Sequence, residues 1–369
     1  MDALKRRAIS GDSSIFLDGM RLLAALVVLV WHASYQWLPG YPRLLAIFDD
    51  LSHAAVIVFF VLSGYLIAYT TTNNNRGPRQ YAVARLSRLY SVLIPALVIT
   101  ALIEFAVSYL DPVISASYSR GNPLPRYALC LAFCNEIGLL SASPPINNPL
   151  WSLSFEFWYY AIFGLWFFRH PGAKSLILIV LACCVAGPKI LLLMPIWVLG
   201  FLAYRIPAPT FTIKRGWALV GVLIFVAVLV VIYVPDFPYN LGRKPFFYAN
   251  RFLTDWLTGI IFALAVWLLP AGSNAVKPAA VNLLRTIADL SFPLYILHYP
   301  LLVLWRAAFG WRANDVSQMC IAIVSVTVVA VIIGVFLEQQ RGIWVRFFKW
   351  AVNCIKPLPI PFSEKTLPV

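Results

Sequence analysis

The feature that most restricts this chain is the length of its apolar runs. Ten can be marked, at roughly 22–38, 54–72, 89–110, 150–168, 175–188, 190–204, 216–234, 252–269, 287–305 and 316–337, with short polar breaks between them. About 20 apolar residues match the hydrocarbon thickness of a bilayer, where a backbone must satisfy its own polar groups, so such runs are expected as spanning helices. They are continuous rather than alternating, which argues against a β-barrel. With 61% hydrophobic and 12% charged residues, the chain lies far from soluble domains, which carry roughly 25% charged residues. The fifth and sixth runs are short enough to be one interrupted hairpin. Residues 127–141 are too polar to span and are expected as a re-entrant or interfacial helix before the fourth span.

A net charge of +14 would suit a nucleic-acid partner if it formed one soluble patch. The basic residues instead lie at the ends of apolar runs, the pattern that orients membrane proteins, and no nucleic-acid partner is expected. Placing the N-terminus in the cytoplasm puts 20 of the 29 Lys and Arg residues on the inner side, among them Lys5, Arg6, Arg7, Arg21, Arg76, Arg79, Arg85, Arg88, Arg341 and Arg346. The prediction is an all-α integral membrane bundle of about ten transmembrane helices with both termini cytoplasmic, in the inner (plasma) membrane and in contact with its lipids. Residues 1–340 read as the membrane domain. Residues 341–369 read as a basic cytoplasmic tail whose Trp344, Phe347, Phe348 and Trp350 suit a surface helix, ending in a Pro-rich stretch. No soluble extracytoplasmic domain is expected. The six cysteines form no CxxC motif, so no metal site is expected.

Ionisable residues inside a bilayer are costly and mark functional sites. Arg21 and His32 lie eleven residues apart in the first run, about three helical turns and about 16 Å, so they share a face with Arg21 at the cytoplasmic edge and His32 deep. His53 opens the second run and His298 lies well inside the ninth. In PLWSLSFEFWYY, Ser152, Glu156 and Tyr160 follow at four-residue intervals and share a face. Arg85 and Arg88 sit at the mouth of the third helix, and guanidinium forks suit phosphate oxygens. Arginines at one edge with His and Glu deeper suggest group transfer across the membrane. A transporter or flippase for an anionic or glycolipid substrate would also hold central polar residues, but with repeats and paired interrupted helices, and no internal repeat is evident here.

Five stretches resemble the membrane-bound acyltransferase-3 family of sugar O-acyltransferases: LDGMRLLAALVVLVWH (17–32), VFFVLSGYLI (58–67), RLSRLYSVLIP (85–95), PLWSLSFEFWYY (149–160) and LSFPLYILHYPLL (290–302), in the family order. The family's Arg-x10-His pair falls on Arg21 and His32, its Arg-x-x-Arg motif on Arg85 and Arg88, and its acidic residue on Glu156. The chain departs at His53-Ala54-Ala55, where a glycine-containing turn is more usual, so the resemblance assigns His53 no role.

What the resemblance implies is an enzyme that moves an acyl group, usually acetyl, from cytoplasmic acyl-CoA to a hydroxyl of an envelope or secreted carbohydrate. No cofactor is bound, and acetyl-CoA is a cosubstrate. Arg85, Arg88 and Arg21 are expected to hold its phosphates. His32 is expected to act as general base or acyl carrier, and Glu156 to orient His32 or the acceptor. Ser63, Ser152, Tyr160, Tyr295, His298 and His53 are candidates for lining the substrate path. The competing readings are the transporter or flippase and an inactive scaffold.

Overall fold

The computed structural model describes residues 11–73, 77–209, 211–238, 245–270 and 278–354. Lys5, Arg6, Arg7, Arg76 and the Pro-rich stretch after Cys354 lie outside them. The described residues form thirteen α-helices and no strand. Seven are long and apolar enough to cross a membrane: α1 (Gly11–Trp37), α2 (Pro42–Asn73), α3 (Pro78–Leu110), α8 (Pro188–Arg205), α9 (Ile213–Tyr233), α12 (Ser291–Phe309) and α13 (Val316–Cys354). The remaining expected runs are also helical but shorter, in α6 (Trp151–Phe167), α7 (Ala173–Ala186) and α10 (Phe252–Trp267). Short helices α4 (Pro112–Tyr118), α5 (Pro123–Leu131) and α11 (Pro278–Asp289) complete the chain.

Local chemistry sets the breaks. Pro78, Pro112, Pro123 and Pro188 open helices, where a missing N–H costs nothing. Asp111 caps α4 by accepting from Ile114 N at 2.9 Å, and Asn122 caps α5 by accepting from Leu124 N at 3.0 Å. The expected hairpin of the fifth and sixth runs is present as α7 and α8, joined at Gly187. This residue has φ +80°, and a Cβ there would stand 2.4 Å from Gly138 Cα.

Three expectations are corrected. The helix expected over 127–141 is α5, which the Asn122–Pro123 cap starts earlier and which ends at Leu131, just before the left-handed Phe133 (φ +55°). The backbone that follows is irregular but satisfied. Ser154 Oγ and Trp158 Nε1 donate to Phe133 O at 2.7 and 3.1 Å, and Lys189 Nζ lies 2.6 Å from the equally buried Glu136 carboxylate. Irregular backbone persists at such depth only when protein groups satisfy it. The run at 287–305 is broken at Leu290, between α11 and α12. His53 does not open its helix, because α2 starts eleven residues earlier at Pro42.

A tight helix crossing lies between α2 and α8. A Cβ on Gly64 would stand 2.0 Å from Trp197 O, and one on Gly200 1.9 Å from Val61 O. Two bare glycines therefore let the backbones touch, the usual means of tight packing where lipid supplies no hydrophobic drive. Trp197 Nε1 then donates to Ser63 Oγ at 3.1 Å.

Candidate active site

One cavity gathers residues from five of the helices. It is lined by Arg21 of α1, Ser63 of α2, Arg85 and Arg88 of α3, Ser152, Glu156 and Tyr160 of α6, and Tyr295 of α12. The Ser152, Glu156 and Tyr160 face expected from the sequence is realised. Glu156 Oε1 accepts from Ser63 Oγ at 3.1 Å and from Tyr160 Oη in a short bond. A chain of donors therefore runs from Trp197 through Ser63 to the carboxylate. Both bonds fall on Oε1, which leaves Oε2 free of them.

The arginines are held differently. Arg21 Nη1 lies 3.5 Å from Asp18 and 3.8 Å from Asp289 at the end of α11, so two carboxylates already offset its charge. Arg85 donates to Thr70 Oγ1 at 3.4 Å and lies over the Tyr81 and Tyr160 rings, while Arg88 lies over Phe292. Among the described residues neither forms an ion pair. Guanidinium donors left without a carboxylate are suited to an anionic ligand.

His32 and His298 do not line this cavity; they form a pair beside it. His298 Nδ1 lies 2.7 Å from Tyr295 O and 3.2 Å from Leu294 O. Carbonyls only accept, so Nδ1 carries the proton and Nε2 of the neutral ring is an acceptor. His32 Nδ1 is 3.0 Å from that Nε2 and 2.9 Å from Val28 O, so its N–H donates to both. This leaves His32 Nε2 with its lone pair, the tautomer a general base needs. Tyr295 connects the two regions. It lines the cavity, bonds Ser152 Oγ at 2.9 Å and sits three residues before His298.

Pro300 helps to fix this end of α12. Having no N–H, it leaves the carbonyl four residues earlier, Ile296 O, without a helical donor. Asn147 Nδ2 donates to that oxygen at 3.2 Å and to Thr100 Oγ1 of α3 at 3.0 Å, tying the entry of α6 to α12 and α3.

Of the two roles expected of Glu156, orienting His32 or the acceptor, the first is not met. Glu156 bonds Ser63 and Tyr160, not His32, and the side chain that holds His32 is His298. His53 is also apart from the cavity, with Nε2 2.9 Å from Asp255 Oδ1 of α10. Asp18, Asp289, Asn147 and Trp197 were missed. Asn147 before Pro149 carried a weak signal as a polar helix entry, whereas the others acquire their partners only through tertiary contacts. Among the described residues no group of three or more His, Cys, Asp and Glu side chains converges as a metal site would.

Comparison with known proteins assigns the chain to a family. The family profile described as "Acyltransferase domain", that of the acyltransferase-3 family, matches residues 14–335, and the chain belongs to this family. It is 25% identical to an O-acetyl transferase of Shigella phage Sf6 over 77% of this chain and 83% of that protein. It is 22% identical to the peptidoglycan O-acetyltransferase OatA of Listeria monocytogenes over 90% of this chain and 57% of that protein. It is 23% identical to the acyltransferase MdmB of Streptomyces mycarofaciens over 85% of this chain and 87% of that protein. No solved structure matches the chain significantly.

Proposed function

We propose that this protein transfers an acyl group, acetyl in the first instance, from cytoplasmic acyl-CoA to a hydroxyl of a cell-envelope or secreted carbohydrate. The observation that carries this reading is the convergence of Arg85, Arg88 and Glu156 on one cavity that Tyr295 links to the His32–His298 pair. Family membership and O-acetyltransferase relatives support it, and the relative that acts on peptidoglycan supports a carbohydrate acceptor.

In this reading Arg85 and Arg88 hold the CoA phosphates, and the pantetheine arm reaches towards His32, about 16 Å from Arg21 along α1. His32 Nε2 takes the proton of the acceptor hydroxyl as its oxygen attacks the thioester carbonyl carbon. The carbon–sulfur bond breaks, and the proton passes from His32 to the departing CoA thiolate. His298 holds the reactive tautomer, as an orienting partner does in a catalytic triad. Glu156 shapes the donor cavity and orients the thioester end. The ten apolar helical segments and the excess of basic residues on one side support ten spans with cytoplasmic termini.

The test uses inside-out vesicles and labelled acetyl-CoA. Label should accumulate on acceptor in the lumen, with release of free CoA. Label only on acceptor in the outer bath would overturn transfer through the membrane. Acceptor movement without CoA release would identify a flippase instead.

A further inference from the structure

A second cavity lies between α3 and α6, a groove of about 340 Å³ lined almost wholly by apolar side chains. Its walls include Leu86 and Leu89 of α3 and Phe157, Ala161 and Leu165 of α6. Leu86, Phe157, Ala161 and Leu165 are only half-buried, so the groove is open along its side. One end is formed by Pro78, the first residue of α3, and Phe168, just past the end of α6. The other is formed by Leu89 and Phe157, eleven residues further along each helix. Eleven helical residues rise about 16 Å, close to half of the ~30 Å hydrocarbon core of a bilayer.

Arg85 lines the groove midway, and two further cations stand at one end. Arg79 and Arg169 are the chain neighbours of Pro78 and Phe168, both are exposed, and neither forms an ion pair among the described residues. An apolar slot one leaflet deep with cations at its mouth matches one amphiphile, a phospholipid with an anionic headgroup. We propose that the groove holds one acyl chain of an anionic bilayer phospholipid, with its phosphate at Arg79 and Arg169. Arg85 and Tyr160 line both this groove and the Glu156 cavity, so the bound chain would pack against the wall of the candidate active site. The inference does not depend on the acyl-transfer reading.

The full-length protein, washed free of lipid in detergent, is titrated with dioleoyl phosphatidylglycerol or dioleoyl phosphatidylcholine and followed by native mass spectrometry. The wild type should retain one phosphatidylglycerol more tightly than phosphatidylcholine, on the order of 10-fold for two nearby arginines. Ala161→Phe, which fills the groove, should lose this retention. The Arg79→Gln, Arg169→Gln double variant should lose the preference for phosphatidylglycerol. If Ala161→Phe is not monodisperse, the arginine variant decides alone, because its side chains are exposed. Equal retention of both lipids by the wild type, or unchanged retention by both variants, would overturn the proposal. So would a wild-type dimer that Ala161→Phe separates, or an Ala161→Phe protein that keeps the lipid but loses use of palmitoyl-CoA; these outcomes would assign the groove to a second copy or to the donor's own chain.

Discussion

His298 Nε2 stands 3.0 Å from His32 Nδ1, a contact between α1 and α12 made by residues 266 positions apart. Because Tyr295 O and Leu294 O fix the proton of His298, the pair fixes the proton of His32 as well. His32→Ala is expected to lower transfer by about 10²–10⁴-fold, the usual loss for a general base. His298→Ala should cost less, because the Val28 carbonyl still holds the Nδ1 proton of His32. Its effect should fall on kcat with acyl-CoA affinity unchanged, and because His298 is fully buried its loss should also lower the melting temperature. Steady-state kinetics with a parallel melting curve checks this, and a fall in stability without a kcat effect on the folded enzyme would assign His298 to packing.

Tyr160→Phe removes one donor to Glu156 while keeping the ring beside Arg85. A hydrogen bond to a charged group contributes about 1.5–3 kcal/mol, so kcat/KM should fall by roughly 10–100-fold. Ser63→Ala removes the other donor. Because both act on Glu156 Oε1, the double variant should lose less than the product of the single losses. A double-mutant cycle on purified protein measures this coupling.

Arg88 and Arg21 should behave differently despite sharing one cavity. Arg88 forms no ion pair among the described residues, whereas Asp18 and Asp289 already flank Arg21. Arg88→Lys keeps charge but loses the fork, so acyl-CoA should bind several-fold more weakly, more so at raised salt. Arg21→Lys should change CoA affinity less. Isothermal titration with CoA compares the two, and equal losses would place a phosphate on Arg21.

Gly64→Ala and Gly200→Ala each drive a methyl group into a backbone carbonyl of the facing helix. Overpacking of this kind costs about 1–3 kcal/mol, and both variants should melt at lower temperature. Gly221→Ala is the control. Nothing lies within 4 Å of its Cβ position in α9, so better helix propensity should leave stability equal or higher. Thermal unfolding in detergent reads all three.

Lys189 and Glu136 are both fully buried and 2.6 Å apart. Lys189→Met leaves a buried carboxylate unpaired and should destabilise by about 3–5 kcal/mol. Adding Glu136→Leu should recover much of that loss, because a buried ion pair is costly to break but not to replace. Thermal unfolding of the single and double variants checks it.

Helix locations were legible because apolar length is a one-dimensional property. A run such as 216–234 must be helical in lipid wherever its neighbours stand, and α9 (Ile213–Tyr233) is found there. The face shared by Ser152, Glu156 and Tyr160 was legible for a similar reason, since four-residue spacing on a helix determines the face without knowledge of any partner. Arg21 and His32 could likewise be ranked by depth from their spacing along α1.

Which residues meet across helices was not legible. Glu156 was expected to orient His32 or the acceptor, but which residue it meets depends on how α1, α6 and α12 pack, to which Asn147 contributes by tying the entry of α6 to α3 and to the α12 carbonyl freed by Pro300. The sequence by itself determined a bundle of apolar helices carrying Arg, His and Glu at set depths, because hydropathy and helical rise are local quantities. Only the tertiary structure decided that His298 holds His32 while Ser63 and Tyr160 hold Glu156, because hydrogen bonds act over about 3 Å and the partners here come from helices far apart in the chain.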